Sequence, residues 1–364
     1  MKKITFFVLA LICVFSLSGC KKEKEEQPEV EKEQEIVEVD VKEDEEEEIV
    51  EEVMPENQNL LSGLADLSEE AIGKRPVAIM INNVNAALPQ YGIAKADVIF
   101  EMNVEGYLTR MMALFADYTQ VPRVCAVRSC RSYFPAISEG FDAIYVHWGM
   151  DESMRHYVES IESTRYDAMT NGSGMFGRDQ NRINSGYSME HTAYFDGPLL
   201  PGVLESQGKR TDLLEGKKQT AFKFNGLTEQ VKPEGNDCTE INMDFGAATA
   251  KFTYDAESNT YLKQINGKNQ MDSAAGTQLA FTNVLILETG VNLREDGYHV
   301  FVDWTGGSSA NGYYASNGAV QKIHWEKTGE KEYLKFYNED GEELAINRGK
   351  SYIAFVRPGN TTVE

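Results

Sequence analysis

Short apolar runs separated by polar turns dominate the stretch from residue 75 to residue 148, and this pattern predicts a set of buried strands. Runs of this length, rich in β-branched and aromatic residues and flanked by Asn, Gly or Pro, are typical of strands covered on both faces. We therefore predict five strands, at 75–84, 96–106, 109–118, 123–128 and 141–148.

Helical segments and one long loop complete this part of the chain. Apolar residues recur at helical spacing between 154 and 161, and Asp151 precedes them as the predicted N-cap. A short lead-in helix is predicted over 60–73, and the Gly-, Asn- and Ser-rich residues 171–197 predict a loop with a functional role. Strands joined by helices indicate a mixed-sheet α/β domain over 60–212.

The chain beyond residue 212 shows strand and turn signals throughout. Asp340-Gly341 and Asn266-Gly267 are typical hairpin turns, so neighbouring strands here are expected to be antiparallel. We predict a small, mostly antiparallel β domain over 213–364. Its strands are expected within 250–255, 260–267, 279–288, 298–304, 319–325, 333–344 and 351–359.

The first twenty residues predict export and lipid attachment. Lys2 and Lys3 precede an apolar segment too short to span a bilayer comfortably. That segment ends in "LSGC", residues 17–20, which resembles the bacterial lipobox, where the signal is cut before the Cys and the thiol carries a diacylglycerol. We therefore predict a signal peptide over 1–20 and an extracytoplasmic protein anchored to the cell membrane at Cys20.

Charge is distributed unevenly along the chain. Residues 21–56 hold 18 acidic residues and 5 lysines, so −13 of the total net charge of −23 lies there. Such a run buries too little apolar surface to fold, and we predict a disordered acidic tether over 21–59. The rest of the chain is also acidic and lacks a long basic stripe, which argues against a nucleic-acid partner.

Several motifs resemble the YerB-like bacterial lipoproteins. The resemblance rests on "ADVIFEMNVEGYLTRMMALFADY", "VRSCRSYF", "DAIYVHWG", "FGRDQNR" and "EHTAYFDG", then "GYYASNGAVQKIHWEK" and "ELAINRGKSYIAFVRPG". Two motifs depart from the family pattern. The family usually reads R-S-A-R with Pro or a nearby Tyr following, where this chain has Cys130 and "SYF". It usually shows Pro-His-Asn, where this chain has Met189-Glu190-His191-Thr192. The resemblance implies a domain of unknown function, followed by a small companion domain, in a surface lipoprotein.

Five arginines at predicted strand ends and in the long loop indicate an anion site. A guanidinium matches phosphate or carboxylate bidentately, which favours Arg over Lys at such positions. An aspartate and a histidine in the same loop are expected to orient a donor or a bound cation. The predicted ligand-binding residues are Arg110, Arg128, Arg131, Arg178, Asp179, Arg182 and His191.

A structural explanation of these arginines stays open. Glu101 and Glu105 on the neighbouring strand are able to pair with Arg110 or Arg128 without any ligand. Two glutamates and Asp179 do not neutralise five arginines, however, so the count favours an anionic envelope ligand. Because arginine beside aromatic residues also marks protein interfaces, a protein–protein interaction module is the alternative.

Catalytic chemistry has weaker support in the sequence. Residues 206–209, 309–311 and 327–329 match S-x-x-K, S-x-N and K-T-G of penicillin-binding enzymes, but in unsuitable contexts. The layout of the first half also resembles proteins that attach glycans to cell walls, by analogy only. His147 and Asp151, with Asp142, are a candidate metal or acid–base site near a strand end. We assign no catalytic residue and no cofactor.

Overall fold

The structure is a computed structural model, and it describes residues 53–161, 164–307 and 310–364. The predicted signal peptide, the lipidation site at Cys20 and nearly all of the predicted tether lie outside the described residues. Within the described part, no helix is both long and apolar enough to cross a membrane.

The first part of the described chain combines eight strands with four short α-helices. The strands are β1 Val77–Asn82, β2 Val98–Asn103, β3 Thr109–Phe115, β4 Arg123–Cys125, β5 Ile144–His147, β6 Arg165–Asp167, β7 Phe176–Arg178 and β8 Ala193–Asp196. The helices are α1 Tyr133–Gly140, α2 Arg155–Ser160, α3 Gln180–Asn184 and α4 Leu200–Ser206.

In the second part, the described residues form strands alone, apart from one short 3-10 turn. They are β9 Asn236–Asp237, β10 Glu240–Asp244, β11 Thr249–Asp255, β12 Thr260–Ile265, β13 Lys268–Asn269, β14 Met271–Asp272, β15 Thr277–Gln278, β16 Ala280–Phe281, β17 Asn283–Glu288, β18 Val291–Leu293, β19 Val300–Val302, β20 Asn311–Ser316, β21 Ala319–Glu326, β22 Lys335–Tyr337, β23 Ser351–Val356 and β24 Thr361–Val363. The predicted fold class, mixed α/β followed by mostly antiparallel β, is confirmed.

One large mixed sheet takes strands from both parts of the chain. Its order is β22-β21-β20-β17-β23-β2-β3-β1-β5-β6, and β9 pairs with β21. Strand β23, near the end of the chain, lies parallel to both β2 and β17, so Val98 pairs with Ser351. A second sheet, β13-β12-β11-β10-β24 with β16 on β12, comes wholly from the second part.

The apolar runs are continuous because both faces of the large sheet are covered. Along β1, Val77, Ile79 and Ile81 pack into one hydrophobic cluster, while Ala78 and Met80 pack into another on the opposite face. All six residues of this strand are buried. A strand buried on both sides favours apolar residues at successive positions, as the sequence pattern indicates.

Two local predictions are wrong. Residues 60–73 form turns and a single 3-10 helix, Glu69–Ala71, because Gly63 adopts a positive φ of 72° and the Asn59 side chain accepts from the backbone of Leu61. The predicted loop at 171–197 also carries structure, since β7, α3 and β8 all lie in it. Asp179 begins α3 by accepting a hydrogen bond from the Arg182 amide.

Candidate functional site: a basic cluster at the strand ends

The segment after β4 carries two of the predicted arginines across the ends of three strands. Its backbone is held at several points: Arg128 donates to the Met80 carbonyl of β1 at 3.0 Å, and Trp148, after β5, donates to the Arg128 carbonyl at 3.0 Å. Val127 donates to Ala193 of β8 at 2.9 Å. These bonds place Arg128 and Arg131 near Arg110, which lies on β3 opposite Asn82 of β1.

Arg110 and Arg131 share one carboxylate. Glu105, on a 3-10 turn between β2 and β3, accepts from Arg110 at 2.6 Å and from Arg131 at 2.6 and 2.9 Å. The two arginine side chains are only 5% and 11% exposed. Burial, with the neighbouring Arg131 charge, lowers the pKa of Arg110 to about 10. Burial opposes ionisation of Glu105, but the two arginines outweigh it, so the pKa of that carboxyl is lowered.

Arg128 and Arg178 lie closer to solvent. Arg128 pairs with Glu190 at 2.5 Å, and the two side chains are 29% and 50% exposed. The Arg178 guanidinium lies 4.0 Å from the centre of the Trp148 ring and donates to the Met189 carbonyl. Burial and the charge of Arg128 both lower the pKa of Arg178, which indicates that the two guanidiniums are close enough to repel each other.

We call Arg110, Arg128, Arg131 and Arg178 the basic cluster. The carboxylates paired with it in the described chain are Glu105 and Glu190, so the set carries a net charge of about +2 within a strongly acidic protein. Four of the five predicted arginines therefore form one electrostatic group. Arg128 and Arg178, its outer arginines, remain partly accessible.

The remaining predicted ligand residues have partners within the protein and do not join the basic cluster. Arg182 is buried and donates to the carbonyls of Ala87, Pro89 and His191. Asp179 caps α3 and accepts from the Tyr91 hydroxyl at 2.8 Å. His191 Nδ1 lies 3.0 Å from the Asn82 amide nitrogen, and burial lowers the pKa of its imidazole. None of these contacts requires a ligand.

Glu101 does not pair with the arginines, contrary to one alternative drawn from the sequence. It is buried and lies 3.1 Å from Lys263 Nζ of β12, where it also accepts from Asn83 at 2.8 Å and Tyr352 at 2.7 Å. The sequence held a signal for this partner: Lys263 alternates with Tyr261 and Ile265, so it falls on the buried face of its strand.

His147 and Asp151 do not assemble into a shared site. His147 is fully buried, with Nδ1 2.8 Å from the Gly149 carbonyl and 3.8 Å from Asp167. Asp151 caps the turn after β5 and accepts from Arg294 at 2.7 Å. Asp142, the third candidate, binds Arg210. Across residues 53–161, 164–307 and 310–364, no group of three acidic, His or Cys residues is arranged to hold a metal.

Acid should destabilise the protein through His147. Burial lowers the pKa of its imidazole from 6.5 to about 4, so between these values the unfolded chain binds a proton that the native state does not. Stability therefore falls as the pH drops from 6.5 to 4, by about 3 kcal/mol from this group. Urea denaturation at several pH values measures this loss. A His147→Gln variant should lose less stability over the same interval, and an equal loss would contradict the assignment.

The residues of the penicillin-binding motifs have local structural partners. The Ser206 hydroxyl donates to the Val203 carbonyl in the last turn of α4. Lys327 is buried, and its ammonium donates to the carbonyls of Gly329, Glu330 and Glu332 in its own hairpin. Burial lowers the pKa of Lys327 to about 7. Ser309 lies outside the described residues.

The structure also contains a polar cleft that the sequence did not indicate. It has a volume of about 620 Å³ and is lined by both charges, among them Asp142, Arg210 and Lys217. Arg210 binds Asp142 through two bonds of 2.6 Å, and Lys217 donates to the Gly140 carbonyl at 2.8 Å. These cations are already engaged, and the basic cluster does not line this cleft.

Comparisons with known proteins agree with the fold. Residues 61–210 match the N-terminal domain model, and residues 241–353 the C-terminal domain model, of a protein family of unknown function, DUF3048. A Bacillus subtilis (strain 168) protein named "Putative lipoprotein YerB" is 27% identical over 303 residues, which cover 81% of this chain and 85% of the relative. The crystal structure of YerB from Bacillus subtilis superposes with a TM-score of 0.69 at 24% identity, covering 84% of this chain and 98% of that one.

Proposed function

This chain belongs to the DUF3048 family, and from that premise we propose that it is a membrane-anchored lipoprotein that binds an anionic ligand of the cell envelope. The basic cluster is the binding surface, and Arg128 and Arg178 are the residues that touch the ligand. The single observation that carries the proposal is the uncompensated positive charge of this cluster on an otherwise acidic protein.

Membrane anchoring rests on the lipobox and on the relative. Cys20 follows an apolar segment of signal-peptide length, and the similar Bacillus subtilis protein carries a lipoprotein name. Several acyl chains at the lipidated cysteine would hold the protein stably, whereas one chain binds only marginally. The acidic segment then spaces the folded part from the extracytoplasmic face of the membrane, since like charges extend a flexible chain.

The outer arginines are suited to capture a ligand because their present partners are easily exchanged. Glu190 is half exposed, so an ion pair between it and Arg128 contributes little to stability and is readily replaced. The Trp148 ring fixes the plane of the Arg178 guanidinium, which reduces the entropy lost on binding. Arg110, Arg131 and Glu105 lie behind this pair and add a positive field.

Phosphate and carboxylate are the chemical groups that fit. A planar guanidinium donates two parallel hydrogen bonds to either group, and two neighbouring guanidiniums favour a ligand with two negative charges. A phosphorylated or carboxylated component of the envelope satisfies this requirement. Pyrophosphate is a suitable small probe for it.

Pyrophosphate should raise the melting temperature of the ectodomain, since a ligand that binds only the native state stabilises it by mass action. The gain should shrink with added salt because part of the attraction is screened. Arg128→Lys keeps the charge but loses the bidentate geometry, so its affinity should fall by about tenfold. Thermal melts of the wild type and the variant with and without pyrophosphate, each at a low and a high ionic strength, measure these effects.

Arg155→Lys is the matched control, because Arg155 is an exposed arginine paired with Glu152 and Glu159 away from the cluster. It should respond to pyrophosphate as the wild type does. If the wild type shows no shift, or if Arg128→Lys shifts equally, the anion proposal is wrong. The geometry then favours the second candidate, a protein interaction surface, since exposed Met169 lies beside Gly149, next to Trp148 in the chain, and the carbonyl of exposed Met189 accepts from Arg178.

A further inference from the structure

A second open cleft lies beside α3, and the comparisons assign it no ligand. It has a volume of about 500 Å³, within the range of roughly 300–1,000 Å³ that small-molecule sites occupy. Both parts of the chain form its walls, because Ser273 donates to the Gln90 carbonyl and so fixes its own loop against the 89–91 segment. Its lining includes Tyr91, Arg123, Asp179, Asn181, Arg182 and Tyr187.

Two partly exposed tyrosines in this cleft are held rigidly. The Tyr91 hydroxyl donates to Asp179 at 2.8 Å, and the Tyr187 hydroxyl donates to the Leu88 carbonyl at 2.9 Å. The buried Arg182 guanidinium lies 5.5 Å from the centre of the Tyr91 ring and 4.9 Å from that of Tyr187. Rings fixed at both the hydroxyl and the face lose little freedom when a ligand packs on them.

The charges in the cleft are already compensated. Arg182 donates to three backbone carbonyls and lies beside Asp179, so it offers little to an anion. Arg123 pairs with Asp196 at 2.5 Å and stacks on Tyr194. The cleft therefore differs from the basic cluster, where cations exceed carboxylates, and it favours an uncharged polar ligand.

We propose that this cleft binds an uncharged saccharide. A sugar ring presents C–H groups on its faces and hydroxyls around its edge. The tyrosine rings offer apolar surface for such a face, while Asp179, Asn181, Ser185 and Ser273 supply acceptors and donors for the edge. This site is separate from the proposed anion surface and does not depend on it.

Titration calorimetry with two uncharged probes, tetra-N-acetylchitotetraose and maltotetraose, tests the saccharide site on the ectodomain. At least one probe should bind at millimolar concentration or below, and the pair separates amino-sugar from plain glucose recognition. Tyr187→Ala removes an aromatic wall and should weaken binding at least about tenfold, whereas Tyr187→Phe keeps the ring and should bind within about threefold of the wild type. Failure of both probes to bind overturns the proposal.

Three further variants separate a binding role from a structural one. Asn181 is exposed, so Asn181→Ala should weaken binding severalfold without changing the melting temperature, even if Tyr187→Ala folds poorly. Tyr298, an exposed tyrosine outside the cleft, supplies the control, and Tyr298→Ala should bind normally. Arg128→Lys should also bind the saccharide normally. Unchanged affinity in both Tyr187→Ala and Asn181→Ala would place any observed binding elsewhere and contradict the proposal.

Discussion

Replacing Lys263 with methionine should lower the free energy of unfolding by about 3–5 kcal/mol, the usual cost of breaking a buried ion pair. Lys263 and Glu101 are essentially inaccessible, and their charged groups lie 3.1 Å apart. Methionine keeps the length of the side chain, so the loss reports the unpaired carboxylate of Glu101 rather than a cavity. Urea denaturation followed by circular dichroism measures it.

A matched substitution separates burial from charge. Lys251 pairs with Glu240 at 2.5 Å on the neighbouring strand, but both side chains are about one-third exposed. Lys251→Met should therefore cost only about 0–1 kcal/mol. The double variant Glu101→Gln with Lys263→Met should recover a large part of the loss, because no buried charge remains. Equal costs for Lys263→Met and Lys251→Met would refute the buried pair.

Glu105→Gln should also cost about 3–5 kcal/mol, because it leaves two buried guanidiniums without their shared carboxylate. Arg110 and Arg131 are almost fully covered, and each lies within 2.6 Å of a Glu105 oxygen. Glutamine is of nearly equal size, so the change removes charge and leaves the packing intact. Chemical denaturation at neutral pH, where Glu105 is ionised in the wild type, gives the value.

The corresponding control is Glu152→Gln. Glu152 binds Arg155 at 2.7 Å, but this pair is exposed, so the free energy of unfolding of the variant should stay close to that of the wild type. A cost for Glu105→Gln no larger than that of Glu152→Gln would mean that Arg110 and Arg131 are compensated in another way. The net positive charge of the basic cluster, on which the anion proposal rests, would then be wrong.

The strands could be predicted from the sequence because apolar runs and polar–apolar alternation along the chain reflect which of their residues are buried. The run 75–84 contains β1, and the alternation at 260–267 marks β12, whose inward positions are Tyr261, Lys263 and Ile265. Helix α1, in contrast, is not predicted by the sequence pattern. Its eight residues are all buried, so it has no polar face and no helical period for a sequence pattern to reveal.

The partners of the charged residues could be predicted only in part. Glu105 stands five residues before Arg110, and a turn between two strands brings them together, so the local sequence is sufficient to predict this pairing. Glu101 and Lys263 are 162 positions apart, and only the packing of the second sheet against the first decides that contact. The sequence pattern groups Asp179 and Arg182 with the residues of the predicted anion site, whereas α3 directs them to the 500 Å³ cleft beside it.

The buried network also explains why the two parts of the chain act as one structure. Asn83 and Glu101 come from the first part, and Lys263, Gln270 and Tyr352 come from the second. Each of these polar groups finds its partner across the junction, so neither part satisfies them alone. Strand β23, inserted beside β2, adds backbone hydrogen bonds to the same junction.

A crystal structure grown with pyrophosphate tests the central claim most directly. We predict an anion within hydrogen-bonding distance of both Arg128 and Arg178, with Glu190 turned away from Arg128 and the Arg110–Glu105–Arg131 group unchanged. The account is contradicted if Arg128 still holds Glu190 and pyrophosphate lies instead in the 620 Å³ cleft beside Arg210, or is bound nowhere on the protein.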